Sequence, residues 1–152
     1  MKISKIGSKG LEMIKSFEGL KLNPYLCSAG VPTIGYGTTR YPNSVRVTMN
    51  DRQITKEQAD VFLKHDIRQF ELAVDALCTD RLTQNQFDAL VCFAYNLGAT
   101  NLRNSTLRIK VNANPNDPTI RNEFMKWNKA GGLAIRGLTR RRQAEADLYF
   151  TP

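Results

Sequence analysis

The sequence has almost no histidine and little cysteine, and each shortage closes off a class of chemistry. Its single histidine, His65, falls mid-way along a helical pattern and is expected to be a surface residue and not a catalyst. Cys27, Cys78 and Cys92 are odd in number, widely spaced and free of any CxxC or Cys/His ligand pattern, which argues against a disulfide framework or a zinc site and for a reducing compartment. No cofactor and no metal are expected. A run of about 18 apolar residues is missing throughout, and the basic start MKISKIGSKGLEM has no apolar core of the kind that directs secretion. The chain is therefore expected to be made in the cytosol, without an anchor. Internal repeats and low-complexity linkers are missing too.

What is present suffices for a core. With 152 residues, 41% of them hydrophobic, the chain fits one compact domain or two small lobes around a shared element. The formal charge is +8, and it is unevenly spread. Residues 1–54 carry eight basic and three acidic groups, residues 55–80 three and six, residues 81–152 eleven and five. Two basic ends flank an acidic middle, a field that favours polyanionic partners such as nucleic acid, an anionic membrane surface or an acidic wall polymer.

Helix punctuation is frequent. Ser8 is placed to cap a first helix with Leu11, Ile14 and Phe17 on one face, and Gly19 to end it just after Glu18. Tyr25 to Tyr36 carries β-formers around Ser28-Ala29-Gly30, which predicts a small hairpin, extended by Val45-Arg46-Val47. Thr55 and Gln58 form a capping-box pattern before a long amphipathic run of about 22 residues, roughly 33 Å of helix. Thr83 and Gln86 form a second box before a helix that stops at Gly98. Ser105 or Thr106 starts a short helix. Asp117-Pro118 predicts an N-cap with proline at the first helical position, Gly131-Gly132 a break, and Thr139 to Phe150 a final helix.

The candidate chemistry lies in SFEGLKLNPYLCSAGVPTIGYGTT, residues 16–39, where Glu18 is the only carboxylate. At a helix C-terminus its charge opposes the helix dipole at a cost of a few tenths of a kcal/mol, so structure alone does not select it. A carboxylic acid held for proton donation is what protonates the leaving oxygen of a glycosidic bond. The next side chain able to act as base or nucleophile is Cys27, whose thiolate is a minor species at neutral pH unless a neighbour lowers its pKa.

The segment FEGLKLNPYLCSAGVPTIGYGTT resembles the active-site segment of the phage-type lysozymes, the glycoside hydrolase family 24 endolysins. Their pattern is a glutamate, eight residues, an aspartate or in some members a cysteine, five residues and a threonine; Glu18, Cys27 and Thr33 match it without a gap. The likeness continues in QFDALVCFAYNLG (86–98), FMKWNKAGG (124–132) and GLTRRRQAEADLYF (137–150), nearly the whole chain in order.

The resemblance implies a mainly α (α+β) lysozyme-like fold: an N-terminal hairpin lobe (about 1–54), a connecting helix (about 55–78) and a C-terminal helical lobe (about 80–152). It implies hydrolysis of the β-1,4 bond between N-acetylmuramic acid and N-acetylglucosamine in bacterial peptidoglycan, with Glu18 as general acid, Cys27 handling the water or the developing cation, and Thr33 orienting that water. Arg141 aligns with the family arginine that pairs with the glutamate, with Arg140 and Arg142 flanking it. Tyr25, Tyr36, Asn96 and Trp127 are candidates for lining sugar subsites. A monomer is expected, released to the wall through a pore made by another protein, with anionic envelope as a further surface partner. Where some relatives place a histidine after the GYG-like turn, this chain has Thr38. Two other classes compete: a nucleic-acid binder, for which no recognised motif is present, and a peptidoglycan-binding module impaired in catalysis, which would explain a cysteine where aspartate is usual.

Overall fold

The computed structural model describes residues 2–152 and is mostly helical. In chain order the elements are α1 (Ser8–Glu18), β1 (Lys21–Leu26), β2 (Pro32–Gly35), α2 (Lys56–Leu77), α3 (Gln84–Leu97), α4 (Ala99–Arg103), α5 (Thr106–Ala113), α6 (Ile120–Met125), β3 (Lys129–Ala130), β4 (Leu133–Ala134) and α7 (Arg136–Tyr149). They form two compact units, residues 14–69 and residues up to 13 together with 70–152, and the division falls inside α1 and α2.

In the 14–69 unit, Gly19 ends α1 in the left-handed region (φ +72°), its amide donating to the Lys15 carbonyl at 2.9 Å. The strands β1 and β2 pair antiparallel with Tyr25 opposite Thr33 and Leu26 opposite Pro32. Between them the Gly30 amide donates to the Cys27 carbonyl (2.8 Å) and the Cys27 amide to the Val31 carbonyl (3.1 Å). With Gly30 at φ +75° this is a three-residue loop closed by a glycine bulge. The expected hairpin thus starts earlier, at Lys21, and ends one residue sooner. The expected extension by Val45 to Val47 is not a strand: Arg40 and Arg46 form an isolated bridge, and the Val47 amide reaches the Thr39 carbonyl at 2.9 Å.

Ile14, Ile34, Val47, Ile54, Ala59, Leu63 and Ile67 form this unit's core. The Thr55–Gln58 capping box is made in both directions, at 2.9 and 3.1 Å. Thr38, 1% exposed, donates its hydroxyl to Asp66 on α2 at 2.7 Å, which holds the turn after β2 against the helix. Burial pushes the Asp66 carboxyl up, against the Thr38 hydrogen bond and the nearby His65. His65 itself is exposed.

The other unit is built on α3, where Gln86 to Ala94 are all buried, as a helix enclosed on every side requires. The Thr83–Gln86 capping box opens it and Gly98 closes it. Around it pack Leu102, Leu107, Val111, Ile120, Phe124, Ala146 and Tyr149. Phe93 meets Phe124 and Trp127 edge-on, with centroids 5.8 and 5.6 Å apart.

Four local expectations shift. Ser8 is the first helical residue of α1, and the amides of Gly7 and Gly10 donate instead to Asp88 of α3, at 2.9 and 3.1 Å. Gly10 has to be glycine: a Cβ there would lie 2.7 Å from that of Asp88. Asp117 accepts from the Thr119 amide (2.9 Å), so the helix begins only at Ile120. Gly131-Gly132, both at positive φ, are the turn of the two-residue hairpin β3–β4 and not merely a break. The last helix starts at Arg136, three residues before Thr139.

Candidate active site

The hairpin gathers the chemistry of the 14–69 unit on one face. Tyr25 and Cys27 are two residues apart along the chain, and Thr33 pairs with Tyr25 across the strands, so the alternation of side chains directs all three the same way. Cys27 is half-buried, whereas Cys78 and Cys92 are 8% and 0% exposed, and burial pushes their thiols well up. The Cys27 thiol moves the opposite way. Backbone amides of Val31 and then Ala29 donate to its sulfur and pull its pKa down, slight burial opposes them, and the Thr33 hydroxyl adds a smaller downward effect. Hydrogen bonding from the loop backbone thus favours the anionic form of the sulfur.

Thr33 is 2% exposed and donates its hydroxyl to the Val31 carbonyl at 2.8 Å. With that one hydrogen engaged, Oγ offers lone pairs to a water or to the thiol; turned toward the sulfur, it donates to the thiolate. Glu18, the last residue of α1, is half-buried. The phenol of Tyr25 senses both groups: burial first, then the negative charges of Glu18 and Cys27, raise its pKa. Tyr25 thus lies within electrostatic reach of both Glu18 and Cys27, and the Thr33 hydroxyl within hydrogen-bonding reach of the Cys27 sulfur. Lys21 lies over the Tyr25 ring, 5.5 Å from its centroid. Tyr36, in contrast, is 5% exposed, with the Lys15 ammonium 5.5 Å over its ring, which leaves little of that face for a sugar.

The other candidates lie in the helical unit. Of the arginine run, Arg140 is exposed while Arg141 and Arg142 are 5% and 0% exposed. Arg141 donates to the Cys92 carbonyl (3.3 Å) and to Glu145 (3.3 Å). Arg142 forms an ion pair with Glu145 at 2.8 Å and donates to the Asn96 side-chain oxygen at 2.7 Å. Burial draws both members of the Arg142–Glu145 pair toward neutrality, Glu145 upward and Arg142 downward, and each partner's charge resists. Asn96 is exposed and Trp127 half-buried.

The phage lysozyme family model matches residues 15–145. The chain belongs to the phage lysozyme family. It is 42% identical to the endolysin of Acyrthosiphon pisum secondary endosymbiont phage 1 over 95% of its own length and 97% of that protein's. It is also 42% identical to the endolysin of Bacillus phage B103 over 96% of its length, but spans only 54% of that longer protein. The solved endolysin from Escherichia coli O157:H7 phage FAHEc1 superposes with a TM-score of 0.89 at 41% identity, covering 96% of this chain and 93% of that one. The lysozyme-like, mainly helical fold expected from the sequence is the fold found.

Sequence reasoning missed parts of the candidate site and its surroundings. The amides of Ala29 and Val31 belong to no side-chain motif, although a glycine three residues after the cysteine was the available sign of a turn wrapped around it. Asp66 and Glu145 were invisible because their partners are 28 residues distant or a hidden face of their own helix.

Proposed function

We propose that this chain is a phage endolysin that hydrolyses the β-1,4 bond between N-acetylmuramic acid and N-acetylglucosamine in peptidoglycan, with Glu18, Cys27 and Thr33 as its catalytic residues. The observation that carries the reading is the hairpin face that Cys27 shares with Tyr25 and Thr33, where backbone hydrogen bonds pull the thiol's pKa down and the tyrosine senses both Cys27 and Glu18. Glu18 donates its proton to the leaving oxygen. The Cys27 thiolate takes a proton from water, and that water attacks the anomeric carbon. Thr33, its own hydrogen on the Val31 carbonyl, accepts from the same water and aims its lone pair. A thiolate acting as base gives one displacement and an inverted product.

Sugar contacts from Tyr25, Asn96 and Trp127 belong to the same proposal, as does passage to the wall through a membrane opening made by another protein; among the described residues no helix is long and apolar enough to cross a membrane. The test is clearance of purified peptidoglycan by the wild type and by Glu18→Gln, which keeps shape and loses the proton. Removal of general acid catalysis costs about 10²–10⁴-fold. Turnover near wild type in the folded variant would remove Glu18 from the mechanism.

A further inference from the structure

Arg142 is the largest fully buried side chain among the described residues, and nothing in the proposed chemistry uses it. Its guanidinium is held from one side by Glu145, at 2.8 Å to one carboxylate oxygen and 3.1 Å to the other, and from a second by the Phe93 ring, 5.3 Å from its centroid. From there it reaches two residues at the surface. One amine donates to Asn96 Oδ1 at 2.7 Å, and the other to the Trp127 carbonyl at 3.4 Å. Burying a guanidinium is costly unless each donor is used, so a fully buried pair aimed at an exposed amide is not explained by packing alone.

The contact settles the orientation of Asn96. Arginine has only donors, so the atom facing it is the amide oxygen, and Nδ2 with its two hydrogens occupies the other prong of the exposed side chain. We propose that Arg142 and Glu145 are positioning residues which lock Asn96 as a hydrogen-bond donor for the acetamido carbonyl of an N-acetylated amino sugar. The inference rests on the glycan-cleaving reading above and assigns part of that ligand's recognition. An outward N–H pair matches the amide oxygen such a sugar offers, and Trp127, whose backbone carbonyl the same guanidinium holds, carries an aromatic side chain suited to its apolar pyranose face. Locking the donor in advance removes the rotamer freedom that binding would otherwise have to quench.

Asn96→Asp separates this role from stability. It keeps an acceptor against Arg142, indeed a charged one, and loses only the outward donors. We expect an unchanged or raised Tm, and binding of N-acetylglucosamine oligomers weaker by roughly 3–10-fold, the size of one net hydrogen bond. In turnover the loss falls on KM and leaves kcat within about twofold. The same oligomers after N-deacetylation should not distinguish the variant from the wild type. Arg142→Lys, which keeps the charge but not the planar fork, should weaken binding of the acetylated oligomers to a similar degree, and adding Asn96→Asp to it should cost little more. If Asn96→Asp binds acetylated oligomers as the wild type does, the assignment is overturned, whether or not Arg142→Lys folds. Equal losses on acetylated and deacetylated oligomers overturn it as well. Clearance of peptidoglycan by the wild type is scored separately, so failure of the catalytic reading registers there and not in the binding comparison.

Discussion

Replacing Cys27 interrogates the unusual member of the site most sharply. A thiol with the ordinary pKa of about 8.5 is only ~3% thiolate at pH 7, and each unit of lowering multiplies that fraction nearly tenfold until it saturates. The amides of Val31 and Ala29, helped by Thr33, pull Cys27 downward, so its thiolate population exceeds that reference. Two consequences can be measured. Alkylation by iodoacetamide should fall on Cys27 before the buried Cys78 and Cys92, with a pH midpoint below that of an unperturbed cysteine in a short peptide. Gly30→Ala strains the left-handed residue that shapes the turn and should raise that midpoint, and Thr33→Val should raise it less.

On peptidoglycan, Cys27→Ser and Cys27→Ala should lose about 10²–10⁴-fold, since neither supplies a base. Cys27→Asp should retain activity, with any gain at pH 7 bounded by the ~30-fold rise from partial to full ionisation. A serine or alanine variant that clears walls at the parent rate would show that the thiol only packs, and an alkylation midpoint at or above that of an unperturbed cysteine would refute the role given to the loop amides.

Other perturbations test separate links. Asp66 has a folded-state pKa raised by burial, so its contribution to stability is full below about pH 4 and is lost as pH rises through that raised pKa; Asp66→Asn, which still accepts from Thr38, should gain Tm on the parent between pH 4 and pH 7, and a difference independent of pH would refute the assignment. Gly10→Ala forces a Cβ against Asp88 and should destabilise by about 1–3 kcal/mol in a denaturant titration, the range of overpacked sites. Thr83→Ala removes one half of a complete capping box and should cost about 1 kcal/mol. Arg140→Gln, at the exposed arginine of the run, should reduce lysis of whole cells and its salt sensitivity while sparing soluble fragments; equal losses on both would give Arg140 a structural or catalytic part.

Legibility in the sequence followed the range of the interaction. Capping boxes at Thr55 and Thr83 and the stop at Gly19 are written within three or four residues, and they are where the sequence placed them. The start of α1 is not legible locally because its true cap, Asp88, is 81 residues from Gly7. Gly131-Gly132 signals only a helix break in the sequence, because two-residue strands carry too little β-pattern to reveal a hairpin. At the candidate site the spacing of Glu18, Cys27 and Thr33 was visible, but the loop amides that act on the sulfur depend on backbone geometry. The arginine run showed that its members must diverge around the helix; only the fold shows that Arg140 is the exposed one and that Arg142 holds Asn96.

The most direct measurement is mass spectrometry of the soluble products from purified peptidoglycan treated with the wild type and with Glu18→Gln. The wild type should release disaccharide muropeptides that end in reducing N-acetylmuramic acid, one water heavier than the anhydro form, and the Glu18→Gln variant should release almost none. Anhydro ends, reducing N-acetylglucosamine ends, or equal release by both proteins would contradict hydrolysis of this bond with Glu18 as the acid.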